Sequence, residues 1–323
     1  MLARDILGTI DPDAIARQVE AFVPGVTGCP LFTQSVGAVF VLDAGERIVL
    51  KVHAYGPGLR SFEMLAELEA VYAAQAALAA GGLPCARVLA PPRRFAPGRA
   101  AAIMSYLEVG PIDDPHAPTT PRALAVTAAE IRVRLEASAE IRARLADHNL
   151  PVRTRLPPTL FPPAHNALFD LHHAGGEWID ARAARARAVL ETGVTPAAMH
   201  SDVSCANVRV VAGRVAAIFD VDSVCMIDEE RCVASMAVHY TYTGEALPSG
   251  EPAWAFPSRD EARAFVAAYE SARGKPFDRE ERARLDAGAI YALAYTARCE
   301  IGHSGERGMC AELRAAPDAY FSG

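Results

Sequence analysis

Lysine is almost missing from this chain of 323 residues: of its 32 basic residues only Lys51 and Lys275 are lysine, and the others are arginine. Acidic residues number 39, so the formal charge is −7, which argues against nucleic acid as a main partner, because phosphate backbones need clustered cations. Cysteine is sparse. The seven cysteines, at 29, 85, 205, 225, 232, 299 and 310, are odd in number and contain no C-x-x-C pair, so they read as reduced thiols of a cytoplasmic protein. No stretch approaches the ~20 apolar residues of a membrane span. The N-terminal segment meets Asp5 at once and does not read as a signal peptide. A nucleophile elbow of the G-x-S-x-G kind is absent. His165, His172 and His173 lack the cysteine or carboxylate that would complete a metal-binding spacing.

Glycine, too, is scarce where it would carry meaning. The residues 32–42 read as strand material around Ser35-Val36-Gly37-Ala38, and Asp43-Ala44-Gly45-Glu46 reads as a turn into a strand over 47–52. That second strand holds Lys51 among apolar residues, where a cation is costly unless it meets a partner. A helix is expected over 61–80, offering Glu63, Glu67 and Glu69 as partners; Glu67 is taken as the one that pairs. Gly81-Gly82-Leu83-Pro84 ends that helix. Strands are then expected at 87–89 and 101–104, separated by a turn rich in Pro and Arg. Met104, Ser105, Tyr106 and Leu107 come next, as the join to a second lobe.

The remainder reads as mostly helical. Asp11-Pro12 opens a short first helix with Ile15, Val19 and Phe22 on one face. A long helix is expected from Thr120-Pro121 to about 146, its Arg and Glu residues forming a solvated face, and another over 177–191. Ser258-x-x-Glu261 and Asp278-x-x-Glu281 are capping boxes that open helices running to about 272 and 301.

The centre of the chain carries the chemistry. Met199-His200-Ser201-Asp202-Val203-Ser204-Cys205-Ala206-Asn207 reads as a loop, followed by β-branched runs at 208–211 and 214–219 around the turn Ala212-Gly213. Such a hairpin brings Asp202, Asn207 and Asp220 to one end of a small sheet. An aspartate facing a hydroxyl, with an asparagine and a second aspartate as hard oxygen ligands for Mg²⁺, is the layout of phosphoryl transfer from ATP or GTP. Lys51 would then hold the phosphates, with Ser35 and Gly37 in the loop above them and the segment Met104 to Leu107 beside the base. Asp222, two residues past Asp220, lies on the same face if the strand continues, as a second acid at the metal or a group on the substrate side. His200 is read as structural, ordering the loop through hydrogen bonds.

This run resembles the aminoglycoside phosphotransferase and choline kinase-like family, whose signature H-G-D-x-x-x-x-N precedes a strand of the type I-D-[FW]-[DE]. The matching residues are His200, Asp202, Asn207 and Ile218-Phe219-Asp220-Val221-Asp222; Lys51 matches the family's strand lysine, and Leu78 to Pro84 its helix end. Ser201 stands where the family has glycine, and Val221 where it has an aromatic. No Arg lies between His200 and Asp202, and Asp220 is not followed by Phe-Gly, so protein kinases are disfavoured. The resemblance implies a two-lobed α+β fold like that of protein kinases. Its N-terminal lobe, 1–105, is an antiparallel sheet that binds nucleotide; its C-terminal lobe, 106–323, is mainly helical and holds the catalytic and acceptor sites. It also implies an O-phosphotransferase acting on a small-molecule hydroxyl, such as that of an aminoglycoside antibiotic or another natural product. The alternatives are a metabolite kinase of the choline or homoserine type, and a nucleotide-binding protein of the same fold without turnover.

Overall fold

Two apolar runs on either side of the turn at Asp43–Glu46 build the first sheet. In the computed structural model, which describes residues 19–26, 31–34, 37–55, 64–110, 113–147, 156–162, 169–192, 196–242 and 256–322, strands β2 (Gly37–Asp43) and β3 (Arg47–Ala54) pair antiparallel. Their turn needs Gly45 at a φ of +85°. With β1 (Leu31–Gln34), β4 (Val88–Ala96) and β5 (Arg99–Ser105) they form a five-stranded antiparallel sheet in the order β1-β2-β3-β5-β4. The described residues up to Glu108 form one compact unit, and those from Val109 to Ser322 form a second.

Period-two alternation gives this sheet two different faces. Ala38, Phe40, Leu42, Ile48, Leu50, Val52 and Ala101 are buried on one of them, together with Val19, Phe22 and Val23. Each fully buried Leu or Phe there contributes ~2 kcal/mol. The opposite face carries Val49, Lys51 and His53 of β3 beside Met104, Ala102 and Ala100 of β5. Helix α1 (Leu65–Ala80) covers it: Tyr72 Oη lies 2.8 Å from His53 Nε2, and Gln75 Nε2 donates to Met104 Sδ at 3.2 Å. The helix buries Leu68, Val71, Tyr72, Gln75 and Leu78, at spacings of three and four. The turn expected at 90–100 narrows to Pro97-Gly98, because β4 continues through Pro91 and Pro92. Proline is tolerated there because β4 is an edge strand with its register shifted between Ala90 and Arg93.

The second unit is mainly helical. The long helix expected over 120–146 is two helices, α2 (Thr119–Ala137) and α3 (Ala139–Asp147). Ser138 is extended between them, and its Oγ accepts the Ile141 N–H at 3.3 Å, so a serine cap restarts the helix. Helix α4 (Glu177–Leu190) leads to β6 (Pro196–His200), β7 (Val208–Val211), β8 (Arg214–Ile218) and β9 (Val224–Asp228). Helices α5 (Glu229–His239), α6 (Arg259–Arg273), α7 (Arg279–Ser304) and α8 (Gly308–Ala315) complete it. Both capping boxes are present: Ser258 N–H donates to Glu261 Oε2 at 2.7 Å, and Asp278 Oδ1 accepts from the amides of Glu280 and Glu281 at 2.9 Å. Among the described residues no helix is long and apolar enough to cross a membrane.

Strand β9 is an addition to the mostly helical remainder expected beyond Asp222. It pairs antiparallel with β6, Met199 opposite Cys225 and His200 opposite Val224, and all four side chains are buried. From β9 the chain enters α5, whose first residue, Glu229, accepts from Tyr269 Oη at 2.8 Å and ion-pairs with Arg132 and Arg273, each at 3.2 Å. A buried carboxylate with three partners is well compensated, and this one ties α5 to α2 and α6.

Candidate active site

Two short ladders hold the central loop. At the end of the β6–β9 pair, Ser201 donates to the Ser223 carbonyl through both its N–H (3.0 Å) and its hydroxyl (2.9 Å). Glycine is not required at 201: among the described residues the positive-φ positions other than glycine are Ala212 and Asp220. His200, 1% exposed, accepts the Asp202 N–H on Nδ1 at 3.1 Å, which fastens the loop from beneath. Burial makes that bond hard to exchange for water.

The loop then turns back on itself. Asn207 Nδ2 donates to the Asp202 carbonyl at 3.1 Å, which leaves its amide oxygen as an acceptor. Asn207 N–H and Val208 N–H both donate to the Ser204 carbonyl, at 3.0 and 2.7 Å. The Asn207 carbonyl in turn accepts the Phe219 N–H at 2.6 Å, so Asn207 sits across the ladder from the residue before Asp220. Asp202 and Asp220 are exposed, and Asn207 is half-buried. These bonds put Asp202 and Asn207 on one loop and Asp220 at the end of the hairpin that follows it, residues whose side chains offer two carboxylates and an amide oxygen. This set of hard oxygens suits Mg²⁺, which takes one or two protein ligands and completes its octahedron with phosphate and water oxygens. Among the described residues no cluster of three or more His, Cys, Asp and Glu forms a site of another kind.

The tip of the β7–β8 hairpin is fixed by a residue that sequence reasoning did not single out. Ala212 and Gly213 have φ of +50° and +72°, the mirror-image turn favoured in two-residue hairpins. Asp113 Oδ1 and Oδ2 accept their N–H groups at 3.0 and 2.8 Å, and the Asp113 N–H donates to the Val210 carbonyl at 2.8 Å. Ninety-nine residues separate Asp113 from Ala212, so no local pattern announces this support.

Asp222 is not on a continued strand. Strand β8 ends at Ile218, Asp220 takes a left-handed conformation (φ 55°, ψ 36°), and Val221–Ser223 form a single 3₁₀ turn. Asp220 and Asp222 therefore do not share a strand face. Val221, the first residue of that turn, is buried.

In the first unit Lys51 is 8% exposed and lies on the sheet face that α1 covers, between the registers of Met104 and His53. Of the three candidate glutamates, Glu63 lies outside the described residues and Glu69 is exposed. Glu67 is 4% exposed in the first turn of α1, and its Oε2 accepts the Met64 N–H at 3.4 Å. Ser35 also lies outside the described residues, while Gly37 begins β2 opposite His53. Met104 is buried under Gln75. Ser105, expected to offer its backbone to the base, is paired instead: its N–H donates to the Arg87 carbonyl and its hydroxyl accepts the Arg87 N–H, both at 2.9 Å. Its amide is thus committed to the sheet. Tyr106 lies under the Arg47 guanidinium at 5.3 Å, and Leu107 is half-buried past the last strand.

Beside Asp202 stands a group of residues that the sequence gave no reason to connect with it. The end of α5 is bonded to the loop, with Cys205 N–H on the Tyr240 carbonyl at 2.8 Å and Ala206 N–H on the Tyr242 carbonyl at 2.7 Å. His239 Nδ1 lies 3.0 Å from the Ser235 carbonyl and Nε2 lies 3.0 Å from Thr296 Oγ1. Burial lowers the His239 pKa, against the opposing pull of the Ser235 carbonyl and the Asp202 charge. Burial, and then the Asp202 charge, raise the Tyr242 phenol.

A scan against models of protein families and a search of curated proteins found no match. Solved structures match along nearly the whole length. An amicoumacin kinase, hAmiN, solved with AMP-PNP, Ca²⁺ and Ami, aligns with a TM-score of 0.63 at 9% identity over 94% of this chain and 92% of its own. A choline kinase from Cryptosporidium parvum aligns with a TM-score of 0.55 at 12% identity over 96% and 93%. An aminoglycoside phosphotransferase from Streptomyces rimosus, solved with ADP and streptomycin, aligns with a TM-score of 0.50 at 20% identity over 88% and 99%. The chain therefore has the fold shared by aminoglycoside phosphotransferases and choline kinases, an antiparallel-sheet unit followed by a mainly helical one.

Proposed function

We propose that this protein is a small-molecule kinase that moves the terminal phosphoryl group of ATP, or of GTP, to an alcohol. One observation supports the reading most: Asn207 is hydrogen-bonded to the Asp202 carbonyl on one side and to the Phe219 N–H on the other, which gathers Asp202, Asn207 and Asp220 around one loop. Phosphoryl transfer asks a protein mainly for position and neutralised charge; this group would supply the position and the ligands for a Mg²⁺ that, with Lys51, would supply the neutralisation.

Each residue then has a role. Asp202 orients the acceptor hydroxyl and accepts its proton as the bond to phosphorus forms. Asn207 Oδ1 and the Asp220 carboxylate hold Mg²⁺, which when bound draws charge from the phosphate oxygens. Asp222, half-buried beyond the bend, is assigned to the acceptor side. Lys51 grips the nucleotide phosphates, and Glu67, the buried glutamate of α1, keeps it in place. Tyr106 and Leu107 serve the base, with Met104 packed behind. His200 keeps the loop in shape. The six described cysteines, all buried free thiols, favour a protein of the reducing cytoplasm.

The acceptor is proposed to be an aminoglycoside-like antibiotic, as in the S. rimosus neighbour, or an amino alcohol, as in the choline kinase neighbour. The test is incubation of the protein with ATP, Mg²⁺ and both kinds of acceptor, followed by mass spectrometry. Gain of one phosphoryl group on an acceptor supports the reading. ATP binding without any phosphorylated product would favour a nucleotide-binding protein without turnover, for which the glycine-poor segment around Gly37 speaks.

A further inference from the structure

We infer that Asp113 is a positioning residue for the proposed metal ligands: it holds the tip of the β7–β8 hairpin and so fixes the register that sets Asp220 one residue past the partner of Asn207. Asn207 and Asp220 hold Mg²⁺ in the phosphotransferase reading, on which this inference rests.

The turn at the tip is poorly suited to hold itself. Its mirror-image geometry needs positive φ at both central residues, and Asn-Gly is the pair that adopts it readily. Here the first of the two is Ala212, exposed and at a φ of +50°, where its β-carbon crowds the following carbonyl and no polar side chain compensates. The ladder below the turn is irregular as well. Val211 pairs with Arg214 and Val210 with Val215, but Arg209 pairs with Ala217 and Val208 with Ile218, so β8 carries Ala216 as an extra residue. That bulge brings Phe219 opposite Asn207, with its N–H on the Asn207 carbonyl at 2.6 Å. An unbulged ladder from the same turn would set Ile218 there instead. Asp220 would then be displaced by one residue, ~3.3 Å along the strand, with the alternation of faces reversed.

Asp113 meets both weak points. Its carboxylate accepts the two turn amides, Ala212 N–H at 3.0 Å and Gly213 N–H at 2.8 Å. Its own N–H donates to the Val210 carbonyl at 2.8 Å, where the register shifts. Hydrogen bonds to a charged acceptor are the stronger kind, and this carboxylate accepts two. The residues after Asp113 are themselves tied down. The Asp114 carbonyl accepts from the hydroxyl of Thr120, buried in the first turn of α2, at 2.9 Å. His116 Nδ1 lies 2.9 Å from Glu261 Oε1 in the first turn of α6. The hairpin tip is thereby anchored to two helices of its own unit. Ala212 and Asn207 are ~16 Å of strand apart, so Asp113 acts on the metal ligands through the ladder.

The test uses the full chain and reads the hairpin directly, by amide hydrogen exchange of Phe219 in the unliganded protein, resolved by NMR. In Asp113→Ala this amide should exchange at least about tenfold faster than in wild type. The Kd for a non-hydrolysable ATP analogue with Mg²⁺ should rise about tenfold, whereas the Kd without Mg²⁺ should stay within about twofold. Ala212→Asn supplies the Asn-Gly pair, and alone it should leave both readings as in wild type. Added to Asp113→Ala, it should bring both back to within about threefold of wild type. Asp113→Asn, which keeps one acceptor oxygen for two donors, should fall between, and it serves should the alanine form fail to fold. Either reading unchanged in Asp113→Ala, or a double variant no better than Asp113→Ala, would overturn the inference while leaving phosphoryl transfer standing. A wild type that binds the analogue equally well with and without Mg²⁺ would overturn both.

Discussion

Asp220 offers a separation of fold from function, because its backbone and its side chain make opposite demands. Its φ of 55° and ψ of 36° lie in the left-handed region, where a β-carbon costs ~1 kcal/mol and only Asp, Asn or Gly is well tolerated. Asp220→Gly removes that cost, but gives the unfolded chain a flexible residue worth ~0.4–1 kcal/mol. The two nearly cancel, so the unliganded glycine variant should melt within about 3 °C of wild type. Asp220→Ala keeps the β-carbon without the local polar compensation and should be the less stable variant by ~0.5–1 kcal/mol. The ligand response should divide them differently. At a hundredfold excess over Kd, Mg²⁺ with a non-hydrolysable ATP analogue adds about 2.7 kcal/mol, a rise of roughly 5–10 °C in a unit of this size. Thermal melts with and without the ligand read both quantities. Wild type should show the full rise, and both variants should lose most of it although the glycine form is as stable as wild type. A full ligand-induced rise in Asp220→Gly would refute the assignment of Asp220 to the metal.

Two further predictions follow from buried ionisable groups. Lys51→Met keeps the length and burial of the side chain, so the fold should hold while transfer falls by about 10²–10³-fold, as when a charge-stabilising group is removed; steady-state rates beside a circular dichroism melt decide it. Asp228 is buried, and burial first, then the neighbouring Glu230 carboxylate, push its pKa up to about 8 from 3.8. The folded state therefore holds a proton that the unfolded chain has released. That stability is complete below pH ~4 and declines as pH rises toward 8. Asp228→Asn should flatten the decline of Tm between pH 6 and 8.5, and a variant with the wild-type slope would contradict the shared burial.

Much of the fold was legible because it rests on local rules. Apolar, β-branched runs on either side of the Asp43–Glu46 turn announced β2 and β3, and the boxes at Ser258 and Asp278 announced α6 and α7 through contacts three residues apart. The hairpin that carries Asn207 was legible from its β-branched runs and the Ala212-Gly213 turn. What stayed hidden depends on partners distant in sequence. Strand β9 forms because Val224–Asp228 finds Pro196–His200, an alanine-rich segment with no alternation of its own. Asp113 reaches the hairpin tip from another part of the chain, and the end of α5 reaches the loop beside Asp202 through backbone bonds that any residue types could make. The strand was read as ending on Asp220, but the left-handed turn there, which takes Asp222 off the strand face, has no signal in the local residue types.

The account turns on Asp202 as the group that faces the acceptor, and Asp202→Ala tests it most directly. Transfer of phosphate from ATP to an accepted alcohol, followed by mass spectrometry, should fall by at least about 100-fold. Affinity for the Mg²⁺-bound ATP analogue should stay within about threefold of wild type, since Asn207 and Asp220 remain. Near-normal turnover in that variant would contradict the assignment.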